Sequence, residues 1–159
     1  MKEIVELLTL RKETISTMES ATGGAVANAI TNVEGASEVF SFGAVTYSNF
    51  YKEKFGVSAL TIERDSVYSV SVAREMSREI CLFTKSTYGV GITGKLGRED
   101  KRNLRGDLHT TYVSVYCLTC DWYITKEIHT DKDSREENKE LILDCVISLL
   151  RQMIDKNQK

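Results

Sequence analysis

Apolar positions along the chain switch repeatedly between helical and strand-like spacing. Ile4, Leu7 and Leu8 share one face of an opening amphipathic helix. Thr14 to Met18 reads as a short strand, and Glu19 to Gly24 as the turn out of it. Val26, Ala29, Ile30 and Val33 return to helical spacing. The apolar, aromatic and β-branched run Val39 to Ser48 predicts a second strand, and Asn49 to Phe55 a short helix. Ser69 is placed to cap a longer helix with the face Val72, Met76, Ile80 and Phe83. Tyr88, Val90 and Ile92 alternate with Gly89 and Gly91, the signature of a strand that something approaches closely. Gly94 to Asp107 is a polar, charged loop. Thr110 to Cys117 and Asp121 to Ile128 alternate as the two strands of a hairpin. Ser134-Arg135-Glu136-Glu137 has the form of a capping box, opening a last helix that buries Leu141, Ile142, Cys145, Leu149 and Met153. Helices alternating with strands predict an α/β domain around a central sheet.

Nothing in the composition divides this pattern. No internal repeat, low-complexity tract or compositional shift marks a linker, so residues 1–159 are expected to form a single domain. The hydrophobic fraction of 42% and charged fraction of 28% are ordinary for a globular protein. A net charge of −2 gives no electrostatic case for nucleic acid. No apolar stretch is long enough to cross a bilayer, and Met1-Lys2-Glu3-Ile4 lacks the features of a signal peptide. No membrane partner is expected, and the cytoplasm is the expected location. Cys145 shares a face with Ile142, Val146 and Leu149 and reads as a core thiol. Cys117 and Cys120 have zinc or redox spacing, but no second pair follows, and His109 and His129 lack metal-motif spacing. No bound metal is expected.

Candidate chemistry concentrates at Ser20, on a turn from a strand into a helix that opens with Gly23 and Gly24. A helix N-terminus offers unpaired N–H groups to an anion, and glycine lets a ligand approach the backbone. Ser20 could use those groups as an oxyanion hole, or they could hold a phosphate. Helix capping by Ser20 or Thr22, with the glycines merely turning the chain, is the simpler account of the same residues. A serine nucleophile needs a base. No G-x-S-x-G elbow supports a histidine triad. Lys52 is the other candidate, in a short helix just after the polar run Thr46-Tyr47-Ser48-Asn49.

Taken together, these segments resemble the CinA C-terminal-domain family, which includes stand-alone nicotinamide-nucleotide amidohydrolases. The family's A-E-S-C-T-G-G is similar to Met18-Glu19-Ser20-Ala21-Thr22-Gly23-Gly24. Its G-S-S-x-x-F-x-x-G-x-V-T-Y-S-N-x-x-K resembles Gly35-Ala36-Ser37-Glu38-Val39-Phe40 through Gly43, Val45-Thr46-Tyr47-Ser48-Asn49 and Lys52. The resemblance implies a three-layer α/β/α sandwich with a central mixed sheet, assembled as a homo-oligomer, a dimer first. It implies deamidation of nicotinamide mononucleotide to nicotinate mononucleotide and ammonia, with no cofactor and with that small nucleotide as the partner. By position, Ser20 becomes the nucleophile and Lys52 the base, with Tyr47 and Ser48 orienting them or relaying the proton. Substrate contacts are expected from Glu19, Thr22, Gly23, Gly24, Asn49, Gly91, Thr93 and Gly94. The N–H groups of Thr22 to Gly24 would serve as anion donors, while Glu19 has a second reading as the residue that fixes the turn.

The second half departs from the family pattern. The family's [ST]-G-I-A-G-P-x-G-G becomes Val90-Gly91-Ile92-Thr93-Gly94-Lys95-Leu96-Gly97, losing a hydroxyl at Val90 and the proline at Lys95. An arginine usual early in the last helix aligns with Glu136, beside Arg135. These changes set two expectations against each other: the amidohydrolase, or a member that kept the fold and lost turnover, serving as a nucleotide-binding or protein-interaction module. The loop cations Lys95, Arg98, Lys101, Arg102 and Arg105 have two readings as well, a phosphate clamp or a solvated surface offset by Glu99, Asp100 and Asp107.

Overall fold

Strand patterning and helix patterning converge on a mixed five-stranded sheet with helices on both faces. In the computed structural model, which describes residues 1–157, the strands are β1 (Ile15–Glu19), β2 (Phe40–Val45), β3 (Tyr88–Gly94), β4 (Thr110–Cys117) and β5 (Trp122–His129). Their order is β2-β1-β3-β4-β5. β1 runs parallel to β2 and to β3, while β3–β4 and β4–β5 are antiparallel. The helices are α1 (Lys2–Arg11), α2 (Ala25–Thr31), α3 (Asn49–Lys54), α4 (Ala59–Asp65), α5 (Val70–Thr84) and α6 (Arg135–Lys156). The expected three-layer α/β/α architecture is the observed one.

β1 and β3 are buried along their whole length because both faces are covered. On one face, Ile15, Tyr88, Val90 and Ile92 meet Ile4 and Leu8 of α1, Val26 and Ile30 of α2, and Ile142, Val146 and Leu149 of α6. On the other, Met18 and Ala44 meet Val72, Met76 and Ile80 of α5. The period of two explains Gly89 and Gly91: they alternate with Tyr88, Val90 and Ile92 and so face α5. A Cβ on Gly89 would lie 2.0 Å from the Ser77 carbonyl oxygen, and one on Gly91 would lie 2.3 Å from that of Ala73. The close approach expected from the sequence is therefore made by the backbone of α5.

Several boundaries differ from the sequence expectation. β2 ends at Val45 rather than Ser48, because the ladder closes where the Thr46 N–H donates to the Glu19 carbonyl (2.8 Å). Thr46 to Ser48 then leave the sheet, and Ser48 becomes the extended residue before α3. α4 had no counterpart in the hydrophobic pattern. It is a seven-residue helix capped by the Ser58 hydroxyl, which accepts from the Thr61 N–H, and its Leu60 is exposed. Phe83, expected on the buried face of α5, is 63% exposed, its ring 5.4 Å from Phe42 and 5.3 Å from Phe55 at the sheet margin. The capping box opening α6 forms as expected: Ser134 Oγ accepts from the Glu137 N–H, and the Ser134 N–H donates to the Glu137 carboxylate. Leu141 and Cys145 on that helix are only half-buried. Among the described residues, no helix is long and apolar enough to cross a membrane.

Candidate active site

Because β1, β2 and β3 are mutually parallel, their carboxyl ends emerge side by side, the position where open α/β sheets bind ligands. Ser20 follows β1, the Thr46–Ser48 connection follows β2, and Gly94–Lys95 closes β3. The turn at Ser20 is built by Glu19. Its carboxylate is fully buried and accepts from Thr22 Oγ1 (2.6 Å) and from the N–H groups of Gly24 (3.1 Å), Val26 (3.1 Å) and Ala27 (2.8 Å). An anion that belongs to the chain thus occupies the positive end of α2. Gly23 and Gly24 are both left-handed, with φ of 63° and 95°, a conformation that costs a β-carbon-bearing residue free energy at each step.

This changes the expected donor set. The Gly24 N–H serves Glu19, and the Gly23 N–H donates to the Ser20 carbonyl at 3.0 Å, so neither is available to a ligand. The N–H groups of Ala21 and Thr22 have no protein acceptor among the described residues. Glu19 fixes the turn rather than touching the pocket, and the Thr22 side chain is tied to it.

Lys52 reaches this turn from α3. It is 2% exposed, and its ammonium donates to the Thr46 carbonyl (2.7 Å) and to Ser20 Oγ (3.2 Å). Burial lowers its pKa to about 8, with the Asp100 carboxylate pulling the other way. The nucleophile and base candidates are thus in direct contact, and the base titrates near neutrality. Neither histidine lines the pocket; the His109 ring bonds to the Thr130 carbonyl at 3.1 Å instead.

Ser20 opens onto a cavity of about 580 Å³, within the range of small-molecule sites. Tyr47, Ser48, Asn49 and Gly94 line it, as does Tyr68. The hydroxyls of Tyr47 and Ser48 make no hydrogen bond to Ser20 or Lys52. Gly91 and Thr93 do not reach the cavity: Gly91 lies under α5, and the buried Thr93 hydroxyl donates to the Val67 carbonyl (2.8 Å). Their expected substrate contacts are replaced by packing. Val90, where the family has a hydroxyl, is likewise a core residue.

Residues 95–107 fold over the cavity, and their cations divide between two tasks. The buried Lys95 ammonium donates to the carbonyls of Leu104 and Gly106 (3.2 Å each) and sits over the Tyr68 ring. Arg105 donates to the carbonyls of Ile62 (3.0 Å), Glu63 and Arg64 (3.1 Å) at the end of α4. Arg98, Lys101 and Arg102 line the cavity, with Arg135 from α6 beside them. Asp100 lines it too. Burial works to raise its pKa, but bonds from Tyr68 Oη (2.6 Å), Asn103 Nδ2 (2.7 Å) and the Arg102 N–H (2.9 Å) hold it down at about 2. Tyr68, Asp100 and Asn103 were not among the residues expected from the sequence. Cys117 is buried at the end of β4 and Cys120 exposed in the turn after it, and neither lines the cavity.

Comparison with known proteins shows the family and the fold. The family model for the CinA C-terminal domain matches residues 1–154. The chain belongs to that family. A protein of Caldanaerobacter subterraneus subsp. tengcongensis, named as competence-damage inducible, is 46% identical to this CinA-family chain over 99 residues, covering 61% of it. A CinA-like protein of Flavobacterium psychrophilum is 30% identical over 152 residues, covering 95% of it. The chain spans 24% and 34% of those two proteins, so it matches only a part of each. Among solved structures, the Escherichia coli CinA superfamily protein aligns with a TM-score of 0.85 at 25% identity, covering 96% of this chain and 87% of that one. The competence/damage inducible protein CihA of Agrobacterium tumefaciens aligns with a TM-score of 0.83 at 25% identity, covering 98% and 92%.

Proposed function

We propose that this CinA-family protein is an amidohydrolase that converts nicotinamide mononucleotide to nicotinate mononucleotide and ammonia through Ser20 and Lys52. The observation that carries the reading is the 3.2 Å contact between Ser20 Oγ and a buried lysine whose pKa lies at about 8. Neutral Lys52 takes the proton of Ser20 as Oγ attacks the carboxamide carbon. The oxyanion that forms meets the unengaged N–H groups of Ala21 and Thr22. Lys52 then passes the proton to the departing nitrogen, the C–N bond breaks and ammonia leaves. Water attacks the resulting ester, again with Lys52 as base, and Ser20 recovers its proton as the carboxylate departs.

The cavity suits such a substrate. Its rim cations Arg98, Lys101 and Arg102 face the space where a phosphate would lie, and Tyr47 and Phe50 offer aromatic faces to a pyridine ring. Purified protein incubated with nicotinamide mononucleotide is expected to yield nicotinate mononucleotide by chromatography. Tight binding without product would support the non-catalytic nucleotide-binding module instead.

A further inference from the structure

The Asp100 carboxylate, beside Glu99, faces a cavity that Arg98, Lys101, Arg102 and Arg135 also line, a placement unfavourable for an anionic substrate unless the carboxylate serves another group. Three bonds hold it there, from Tyr68, Asn103 and the Arg102 backbone. Asn103 continues the chain of contacts: its Oδ1 accepts from Asn49 Nδ2 at 2.8 Å. Asn49 is the first residue of α3, the helix that carries Lys52 one turn later. The loop is thus latched to the base's own helix and, through Tyr68, to the turn that precedes α5.

We propose that Asp100 is a positioning residue for Lys52, a carboxylate held by Tyr68, Asn103 and the Arg102 N–H, joined through Asn103 to Asn49 on the lysine's own helix, that sets the electrostatic environment of the lysine head group. The role bears on catalysis through the Ser20–Lys52 reading, on which it rests for its functional meaning. Of the groups around the lysine, Ser20 and the Thr46 carbonyl touch it but carry no charge. Glu19, on β1, is engaged by four donors of its own turn. Glu53 and Lys54 are exposed neighbours on α3. Tyr47 after β2 and Tyr68 before α5 are the titratable side chains that face the cavity from those elements. From the loop come Lys95, engaged with carbonyls, the rim cations, Glu99 and Asp100 itself. Asp100 is the charge that opposes the effect of burial on Lys52. The two effects act against each other: burial makes the lysine a base near neutrality, and the carboxylate limits how far that goes.

The test reads the lysine directly. The pH dependence of the stability difference between Lys52 and Lys52→Met, measured by urea denaturation, reports the lysine midpoint without any enzymatic assay. In the Asp100→Asn background that midpoint is expected to move to lower pH, and the rising limb of kcat/KM to move with it. Asp100→Glu, which restores the charge, is expected to bring both back toward the wild type. Should Asp100→Asn fail to fold, Tyr68→Phe takes its place; it removes one of the two donors to Asp100 Oδ2 and leaves Asn103 on it, so the carboxylate is held less firmly and a smaller shift in the same direction is expected. An unchanged midpoint in the folded variant overturns the proposal, as does a shift that Asp100→Glu does not reverse. A shifted midpoint in a protein without amidase activity leaves the positioning role standing and refutes the amidase reading alone.

Discussion

Burial of Lys52 should be visible as a stability that increases with pH. Its pKa falls from 10.5 in the unfolded chain to about 8 in the fold. Between those values the unfolded chain binds more protons than the folded one, so stability rises with pH across the window. At about 1.4 kcal/mol per unit, the full swing is about 3 kcal/mol, absent below pH 8 and complete above the unfolded value. The Lys52→Met variant removes the titration and leaves every other ionisable group in place. Urea denaturation of both proteins from pH 7 to pH 10 then isolates the lysine in the slope of their difference. The substitution also leaves the Thr46 carbonyl without its 2.7 Å donor, but that offset does not vary with pH. The same titration bears on chemistry: at pH 7 a lysine of pKa 8 is neutral in about one molecule in ten, against roughly one in three thousand for an ordinary lysine. kcat/KM should accordingly climb with pH and level off above pH 8. A stability difference that stays flat from pH 7 to pH 10 would show that Lys52 is not desolvated, and an ordinary lysine could not serve as the base near neutrality.

Glu19→Ala leaves four donors at the start of α2 without their acceptor and is expected to lower stability by about 3 kcal/mol or more, measured by thermal or urea unfolding. A cost below about 1 kcal/mol would mean that water replaces the carboxylate and that the turn holds without it. Gly91→Ala places a methyl 2.3 Å from the Ala73 carbonyl oxygen and should destabilise the fold by about 2 kcal/mol or more, whether or not nucleotide is present. Wild-type stability with weakened nucleotide binding would instead return Gly91 to the substrate site. Alanine at Arg98, Lys101 or Arg102 should raise KM for nicotinamide mononucleotide roughly tenfold at the most important of the three, with kcat little changed and no effect on nicotinamide riboside, which lacks the phosphate. If none of the three changes KM by even about threefold, the phosphate lies elsewhere.

The order of strands and helices was legible because β3 and β4 alternate with a period of two between segments of helical spacing, and because the α6 capping box is a local signal. α4 was not legible: a seven-residue helix that buries Thr61 and exposes Leu60 presents no stripe. Phe83 misled because α5 continues its 3.6-residue period to the edge of the sheet, where only neighbouring aromatic rings remain to cover it. At the site, Ser20 and Lys52 were singled out by their positions after successive strands and by family resemblance, and parallel β1 and β2 bring those positions together. The role of Glu19 was visible only as one of two readings, since its partners at Val26 and Ala27 become donors only once the helix forms. Gly91 marked a close approach correctly but gave no sign of whether a helix or a ligand makes it. Tyr68 and Asp100 lie 32 residues apart, and no local pattern links an aromatic in one turn to an acid in a charged loop.

Hydrolysis of an amide by Ser20, activated by Lys52, is the claim on which the functional reading stands. Ammonia release from nicotinamide mononucleotide by wild-type protein and by Ser20→Ala, side by side at pH 8, tests it most directly. Steady release is expected from the wild type and none above background from Ser20→Ala, with the variant as stable as the wild type to within about 1 kcal/mol. Undiminished release from Ser20→Ala, or no release from the wild type, would contradict it.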